Sequence, residues 1–545
     1  MAPNLSSFSR AGDRRDLALL LLCAAVISLA AFLWYFHQGQ LLLWGDAVAH
    51  TTIARRIFDS RAPGLTPLGT VWLPLPHILL MPFVVSNWMW RTGVGGAIPS
   101  MLACIVTALG IFRLVRVSLG SRDEARLASW LAAAIFVLNP NVLYMQSVAM
   151  GEVLCLAFTV WALVLLADFL RLSRPGEEMD AGAAARALTA CALLLVADMY
   201  TRYDGWFAAA LFSLVVLIAF RRNLRHAPPQ DRRVLTQALL RYFGLLAAAA
   251  ALWFAYNYAL SGNPLDFFNG PYSAKAIEQR TSAGFTHPGD HDLKVASIYF
   301  VKSAKLTIAD GGWQNPFWYA ALAGIPLLLA FARRSWALLL LWFPLPFYAL
   351  AVAYGSIPIF LPVWWPFTYY NVRYGLELVP AISVFTAVSA YALALLLGRR
   401  QLIAWIAVVV LVAGSYAAAW RNRPICLREA IANSASRIAL DTRLAAALRQ
   451  LPPRATILMF LGAHAGALQD AGIPLRRTLN ETIRGPWEQA LAGPAAGTDY
   501  LVACDGDPVA QAVAAHPEGL ELLVTISVPG QSTARVYRSK ISRSR

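Results

Sequence analysis

Long apolar runs recur along the chain, separated by short arginine clusters. A helix needs about 20 apolar residues to cross a bilayer. Runs of that kind fall near residues 17–36, 95–117, 125–143, 148–170, 184–200, 204–220, 241–260, 316–332, 335–353, 374–397 and 401–419, about eleven in all. Arg10, Arg14 and Arg15 precede the first run. Further basic clusters sit in alternate connections: Arg113, Arg116, Arg122 and Arg126; Arg171, Arg174 and Arg186; Arg221, Arg222, Arg225, Arg232 and Arg233; Arg333 and Arg334; Arg399 and Arg400. With these spans every cluster falls on one side, which the positive-inside rule makes cytoplasmic, together with the N-terminus. No small-residue cleavage site follows the first run, so it reads as an uncleaved first span and not a signal peptide.

Residues 71–90 (VWLPLPHILLMPFVVSNWMW) are apolar enough to span. As a span they would move every later arginine cluster outside, and Pro74, Pro76 and Pro82 spoil a regular helix. They are expected to form a re-entrant or interfacial segment on the outer face. The predicted fold is thus an α-helical polytopic membrane protein, with a membrane domain over 1–420. Two long outer loops belong to it, 37–94 and 261–315. From 421 to 545 the pattern changes: a polar helix near 426–449, then Pro452-Pro453, then short β-like runs (ATILMF, DYLVACD, LELLVTISV, ARVYR) with helical stretches between them. That pattern predicts a small extracytoplasmic α/β domain.

Composition agrees. Of 545 residues 58% are hydrophobic and only 14% charged, against about 25% charged in soluble domains. This excludes a soluble fold and disorder, and 6 cysteines are too sparse for a disulfide scaffold. The net charge of +16 lies mostly in the orienting clusters, so nucleic acid is not an expected partner. The positive charge is nearly all arginine in an alanine-rich chain, a composition that points to a GC-rich bacterial genome and a bacterial inner membrane.

The ionisable residues on the outer side carry the candidate chemistry. Asp46 and His50 in WGDAVAH are four apart and would share a helix face; Asp46 is a general base, a cation ligand, or the cap of the helix that follows. Glu152, just inside a span, is a functional acid or the partner of a buried cation such as Arg202. Arg202 and Asp204 in TRYDGW bracket an aromatic, as a site or as a local ion pair in an interfacial belt. Arg373 in YYNVRYG stands on the side where the positive-inside rule disfavours it; its fork suits a phosphate, with an intrahelical pair to Glu377 as the alternative. The loop 261–315 carries Tyr272, Lys275, His287, Asp290, His291 and Asp292; the last four match no zinc spacing and read as solvated loop. His77 would join His50 only if 71–90 folds back. Cys426 and Cys504 lie on the oxidising side and are candidates for a disulfide.

In order along the chain, WGDAVAH, LGTVWLPLPHILLMPF, QSVAMGE, TRYDGW and YYNVRYG resemble the GT-C superfamily of integral membrane glycosyltransferases, and within it the protein O-mannosyltransferase and lipid A aminoarabinose transferase branch. The resemblance covers roughly residues 17–400 and leaves the C-terminal domain aside. It implies a polyprenyl-phosphate-linked sugar as donor and an acceptor (glycan, lipid or protein) that arrives from water. Asp46 matches the first-loop catalytic acid and would deprotonate the acceptor hydroxyl, with inversion at the anomeric carbon. Arg373, helped by Lys275 or Arg202, would stabilise the departing phosphate. Glu152 would be a second acid in the cavity. His50, His77, Asp204, Tyr272 and Tyr370 are the candidates for substrate binding. The first-loop motif is Gly-Asp-Ala where the O-mannosyl branch commonly has Asp-Glu, and the Trp-Trp-Asp-Tyr-Gly signature of oligosaccharyltransferases is absent; the latter argues against whole-glycan transfer to Asn.

The cofactor expectation is none, or a divalent cation (Mg2+ or Mn2+) with Asp46 and His50 as its ligands. The resemblance implies a hexose or a pentose as the sugar. A transporter or flippase is the rival from another class, disfavoured because the polar residues gather at one face and no internal repeat is visible. A silent assembly or sensor protein is a third. The C-terminal domain shows no nucleophile–base pair or phosphate loop, and is expected to scaffold or to dock the acceptor.

Overall fold

The computed structural model describes residues 11–174, 179–225, 227–281 and 285–541. Arg10, residues 282–284 of the second long loop and residues 542–545 lie outside them. Among the described residues, eight helical stretches are long and apolar enough to cross a bilayer: Gly12–His37, Val94–Leu119, Glu152–Leu172, Ala181–Met199, Asp204–Asn223, Pro229–Ser261, Arg333–Tyr354 and Val372–Arg449. The last contains two separate apolar helices, Val379–Leu397 and Gln401–Arg421. Two other expected spans are helices outside that set, Asp123–Val137 and Gln314–Phe331. The chain is a multi-pass integral membrane protein.

Local sequence explains many of the boundaries. Asp180 accepts from the Ala183 amide at 2.8 Å and starts Ala181–Met199. Asn139 accepts from the amides of Asn141 and Val142 and starts Pro140–Met145, with Pro140 at the first helical position. Gly262, at φ +73°, closes Pro229–Ser261 in the left-handed conformation that a side chain resists. Residues 75–84 form a ten-residue helix with Pro82 inside it. At about 1.5 Å per residue it reaches half of a hydrocarbon core, too short to span.

The contacts divide the chain into two units. The first comprises Met1–Tyr35, Ser100–Ser147 and Gly151–Glu429. Its helices pack closely: an added Cβ on Gly324 would fall 2.2 Å from the Phe385 carbonyl oxygen, so Gln314–Phe331 meets Val379–Leu397 backbone to backbone. Several of the orienting arginines also tie helices together. Arg126 grips Asp16 with two bonds of 2.6 and 2.7 Å, Arg116 meets Asp13 at 3.1 Å, and Arg113 meets Asp168 at 2.6 Å. Asp168 lies near one end of Glu152–Leu172 and Glu152 at the other.

The second unit comprises Phe36–Pro99, Val148–Met150 and Ala430–Arg545. Its core is a five-stranded sheet of β1 (Ile457–Met459), β2 (Thr478–Leu479), β3 (Tyr500–Cys504), β4 (Leu520–Ile526) and β5 (Ala534–Ser539), in the order β2-β1-β3-β5-β4. β1 pairs in parallel with β2 and β3, while β5 is antiparallel to β3 and β4. Leu458, Leu479, Trp487, Leu501 and Val509 fill one face. The two-residue β2 is an addition to the four strands read from the sequence.

The first long loop packs on this domain. The Arg437 guanidinium donates to the carbonyls of Leu42 and Leu43 at 2.9 and 3.0 Å. Gln469 donates to the Trp90 carbonyl at 2.6 Å, and Asp59 accepts from the Leu475 amide at 3.2 Å. Asp59 in turn holds Arg55, which lies over the Trp90 ring at 4.4 Å.

Replacing Gly324 with alanine is expected to destabilise the helix crossing by about 1–3 kcal/mol, the usual cost of forcing atoms into a packed core. Thermal unfolding of the purified protein in detergent checks this; an unchanged midpoint would mean that the crossing is looser than described.

Candidate active site

Four chain segments converge on one buried cluster in the first unit. Glu152 is the first residue of Glu152–Leu172, where a helix N-terminus favours a carboxylate. Arg202 lies in the turn after Ala181–Met199, and Asp204 opens Asp204–Leu224. Arg373 and Glu377 lie on the 3₁₀ turn Val372–Leu378 that leads into Val379–Leu397.

Two glycines let these segments approach. A Cβ on Gly205 would fall 2.6 Å from the Asp198 carbonyl, and one on Gly375 would fall 2.6 Å from the Ala304 amide. The glycines of TRYDGW and YYNVRYG are therefore packing requirements of the cluster. Asn371 adopts φ +57° with its side chain on the Pro358 carbonyl at 2.9 Å, and the Ser303 hydroxyl donates to the Val372 carbonyl at 2.6 Å.

Glu152 holds both arginines: its Oε1 lies 2.9 Å from Arg373 Nε and 3.3 Å from Arg202 Nη1. Arg202 Nε also meets Asp204 Oδ2 at 3.0 Å and comes within 3.6 Å of Glu377 Oε1. Arg202 Nη2 donates to the Tyr348 hydroxyl at 2.8 Å, and that hydroxyl donates to Asp204 at 3.1 Å. Glu429 accepts from the Arg373 amide at 3.1 Å and lies 4.0 Å from its guanidinium. Both guanidiniums stack on Tyr374, at 5.2 and 5.1 Å from the ring centre. The acids are almost fully buried, while the Arg202 and Arg373 side chains keep 19% and 10% exposure. Of the cluster's charged groups, the two arginine side chains are therefore the more exposed.

The second unit holds the other expected group. Asp46 lies in the first turn of the helix Gly45–Arg56, whose cap position is Trp44. The capping role considered for Asp46 is therefore excluded. His50 lies one turn on, and its Nδ1 is 2.9 Å from Nε2 of the buried His77, so 71–90 does fold back. Trp72 covers the pair, 4.4 Å from the His50 ring and 6.2 Å from that of His77. Burial, and then the neighbouring His50 and Arg56, hold His77 well below the ordinary histidine value.

The remaining expected residues lie on exposed stretches. Lys275 is exposed on the helix Ala274–Thr281, Tyr272 is exposed ahead of it, and Tyr370 pairs its backbone with Phe360. The histidines and acids of the second loop take local roles: His287 meets Glu278 at 3.0 Å, and Asp292 caps Leu293–Ile308. Cys426 and Cys504, the candidates for a disulfide, are each buried free thiols. Sequence reasoning missed Tyr348, Tyr374 and Glu429 as members of the cluster. Tyr374 stood inside a quoted motif, whereas Tyr348 is embedded in an apolar run and Glu429 in a polar helix.

Comparison with solved structures gives the fold its place. ArnT from Cupriavidus metallidurans, a lipid A aminoarabinose transferase, superposes with a TM-score of 0.55 over 95% of this chain and 97% of its own, at 12% identity; that crystal structure holds undecaprenyl phosphate. Its apo form gives the same score over 96% and 98%. The fold is GT-C. The Archaeoglobus fulgidus oligosaccharyltransferase also aligns, with a TM-score of 0.50 and 12% identity over 90% of this chain and 69% of its own. No protein-family model and no curated protein sequence matches the chain.

The His77 environment sets a pH dependence. A depressed folded-state value means that the unfolded chain, with histidine near about 6.5, binds protons more readily. Stability should be unaffected above that pH and fall below it, by up to about 1.4 kcal/mol per pH unit. Thermal midpoints at pH 7.5 and 5.5 should separate in the wild type and converge in His77→Asn; equal separation in both proteins would contradict this.

Proposed function

We propose that the protein transfers a sugar from a polyprenyl-phosphate donor to an acceptor hydroxyl on the non-cytoplasmic side of a bacterial inner membrane. The observation that carries this reading is the pair of stacked guanidiniums, Arg202 and Arg373, fastened to one carboxylate at the ends of membrane helices. Their fold is shared with a protein whose crystal structure holds undecaprenyl phosphate. A guanidinium fork matches the geometry of a phosphate, and a site between apolar helices gives a lipid chain its surroundings.

In this mechanism Asp46 takes the proton of the acceptor hydroxyl as its oxygen attacks the anomeric carbon. The bond from that carbon to the phosphate oxygen breaks, the electron pair leaves with the phosphate, and the configuration inverts. Arg373 and Arg202 stabilise the charge that develops on the phosphate. Glu152 is a positioning residue that holds both guanidiniums. His50 Nδ1 lies 2.9 Å from His77 Nε2, and the proposal uses Asp46 as a base. The C-terminal domain serves as the platform of the loop that carries Asp46, through Arg437 and Gln469.

A panel of labelled polyprenyl-phosphate sugars, incubated with the purified protein and native membrane extract, tests the reading. One donor should be consumed and label should appear in an acceptor. Asp46→Asn should lower transfer by about 100-fold or more while donor binding survives. Arg373→Lys keeps the charge but loses the fork, and should lower transfer by about 100-fold. Consumption of no donor by folded protein would overturn the proposal, and normal transfer by Asp46→Asn would remove Asp46 from its role.

A further inference from the structure

The cluster around Arg202 carries more negative than positive charge. Glu152, Asp204, Glu377 and Glu429 face the two guanidiniums of Arg202 and Arg373, an excess of two negative charges when all are ionised. Such an excess is costly in a buried site, and it opposes the approach of any anion.

The excess is concentrated on one side. A carboxylate oxygen from each of Asp204 and Glu377 lies with the Cys155 thiol sulfur in a group whose members are all within 4.8 Å of one another, and all three residues are buried. Cys155 Sγ is 3.7 Å from Asp204 Oδ1. Glu377 Oε1 is buried and has no hydrogen-bond partner among the described residues; its nearest cation is Arg202, 3.6 Å away. A buried carboxylate oxygen left without a donor points to a ligand.

We propose that Cys155, Asp204 and Glu377 bind a divalent cation, and that the thiol makes it a borderline-soft ion such as Zn2+ rather than Mg2+. Three protein ligands leave a fourth position open. On binding, the Cys155 sulfur loses its proton to solvent as the metal–sulfur bond forms. The metal brings two positive charges and the thiolate adds one negative, so the excess falls from two to one. Asp198, a further buried acid not counted in this excess, accepts from the Thr159 hydroxyl at 2.6 Å.

Within the glycosyltransferase reading, the cation would offset the acids and leave Arg373 available to the phosphate. The site itself rests only on these three residues. Its test uses neither donor nor acceptor, so it can fail while that reading stands, and the reverse.

Co2+ is the probe, titrated into chelator-treated full-length protein purified in detergent without a polyhistidine tag. A thiolate-to-cobalt charge-transfer band should grow and saturate near about one equivalent. It should be lost in Cys155→Ser and retained in Cys191→Ser, which alters a buried thiol elsewhere. Glu377→Gln should weaken Co2+ binding by about tenfold or more, and it decides alone if Cys155→Ser does not fold. Absence of the band in folded wild type, its survival in Cys155→Ser, or unchanged affinity in Glu377→Gln would each overturn the proposal.

Discussion

The contact on which the site depends is the grip of Glu152 on two arginines at once. A guanidinium between membrane helices is costly unless it is paired. Glu152 Oε1 stands 2.9 Å from Arg373 and 3.3 Å from Arg202, and so joins segments more than 200 residues apart in sequence. Removing one partner of such a buried pair typically costs about 3–5 kcal/mol, because the other charge is left uncompensated. Tyr348, Tyr374 and Glu429 complete the cage, and Gly205 and Gly375 allow the backbones to come close enough for it to form. The acids of the cage are buried, and the two arginine side chains are its more exposed charged members.

Much of the fold was legible in the sequence, because bilayer thickness and backbone hydrogen bonding leave few solutions for a chain with so many apolar runs. Pro82 and the brevity of 75–84 explain why an apolar stretch does not become a span. The four longer strands of the C-terminal domain were legible from β-rich runs bounded by turn residues. The two-residue β2 was not, since nothing in its composition separates it from a loop. Packing of the loop 36–99 on the C-terminal domain was also invisible, because Arg437 and Gln469 reach backbone carbonyls, which carry no sequence signal.

Site residues were legible one at a time. Glu152, Arg202, Asp204 and Arg373 stood out as ionisable groups beside apolar runs. The Glu152–Arg202 and Arg202–Asp204 pairs were among the alternatives the sequence offered, and both form; the Glu152–Arg373 contact was not legible. The four-residue spacing suggested an Arg373–Glu377 pair along one helix, but the turn is 3₁₀, in which residues three apart eclipse and that spacing no longer stacks. Glu377 instead comes within 3.6 Å of Arg202. Lys275 was singled out for its charge, yet it stands exposed on its own short helix.

The proposed function requires the paired guanidiniums to hold a lipid phosphate. Comparing the binding of undecaprenyl phosphate with that of undecaprenol to the purified wild type and Arg373→Ala tests it most directly. The wild type should bind the phosphate form more tightly by about tenfold or more, some 1.4 kcal/mol, and Arg373→Ala should narrow the difference. Equal affinity of the wild type for the two lipids would contradict it.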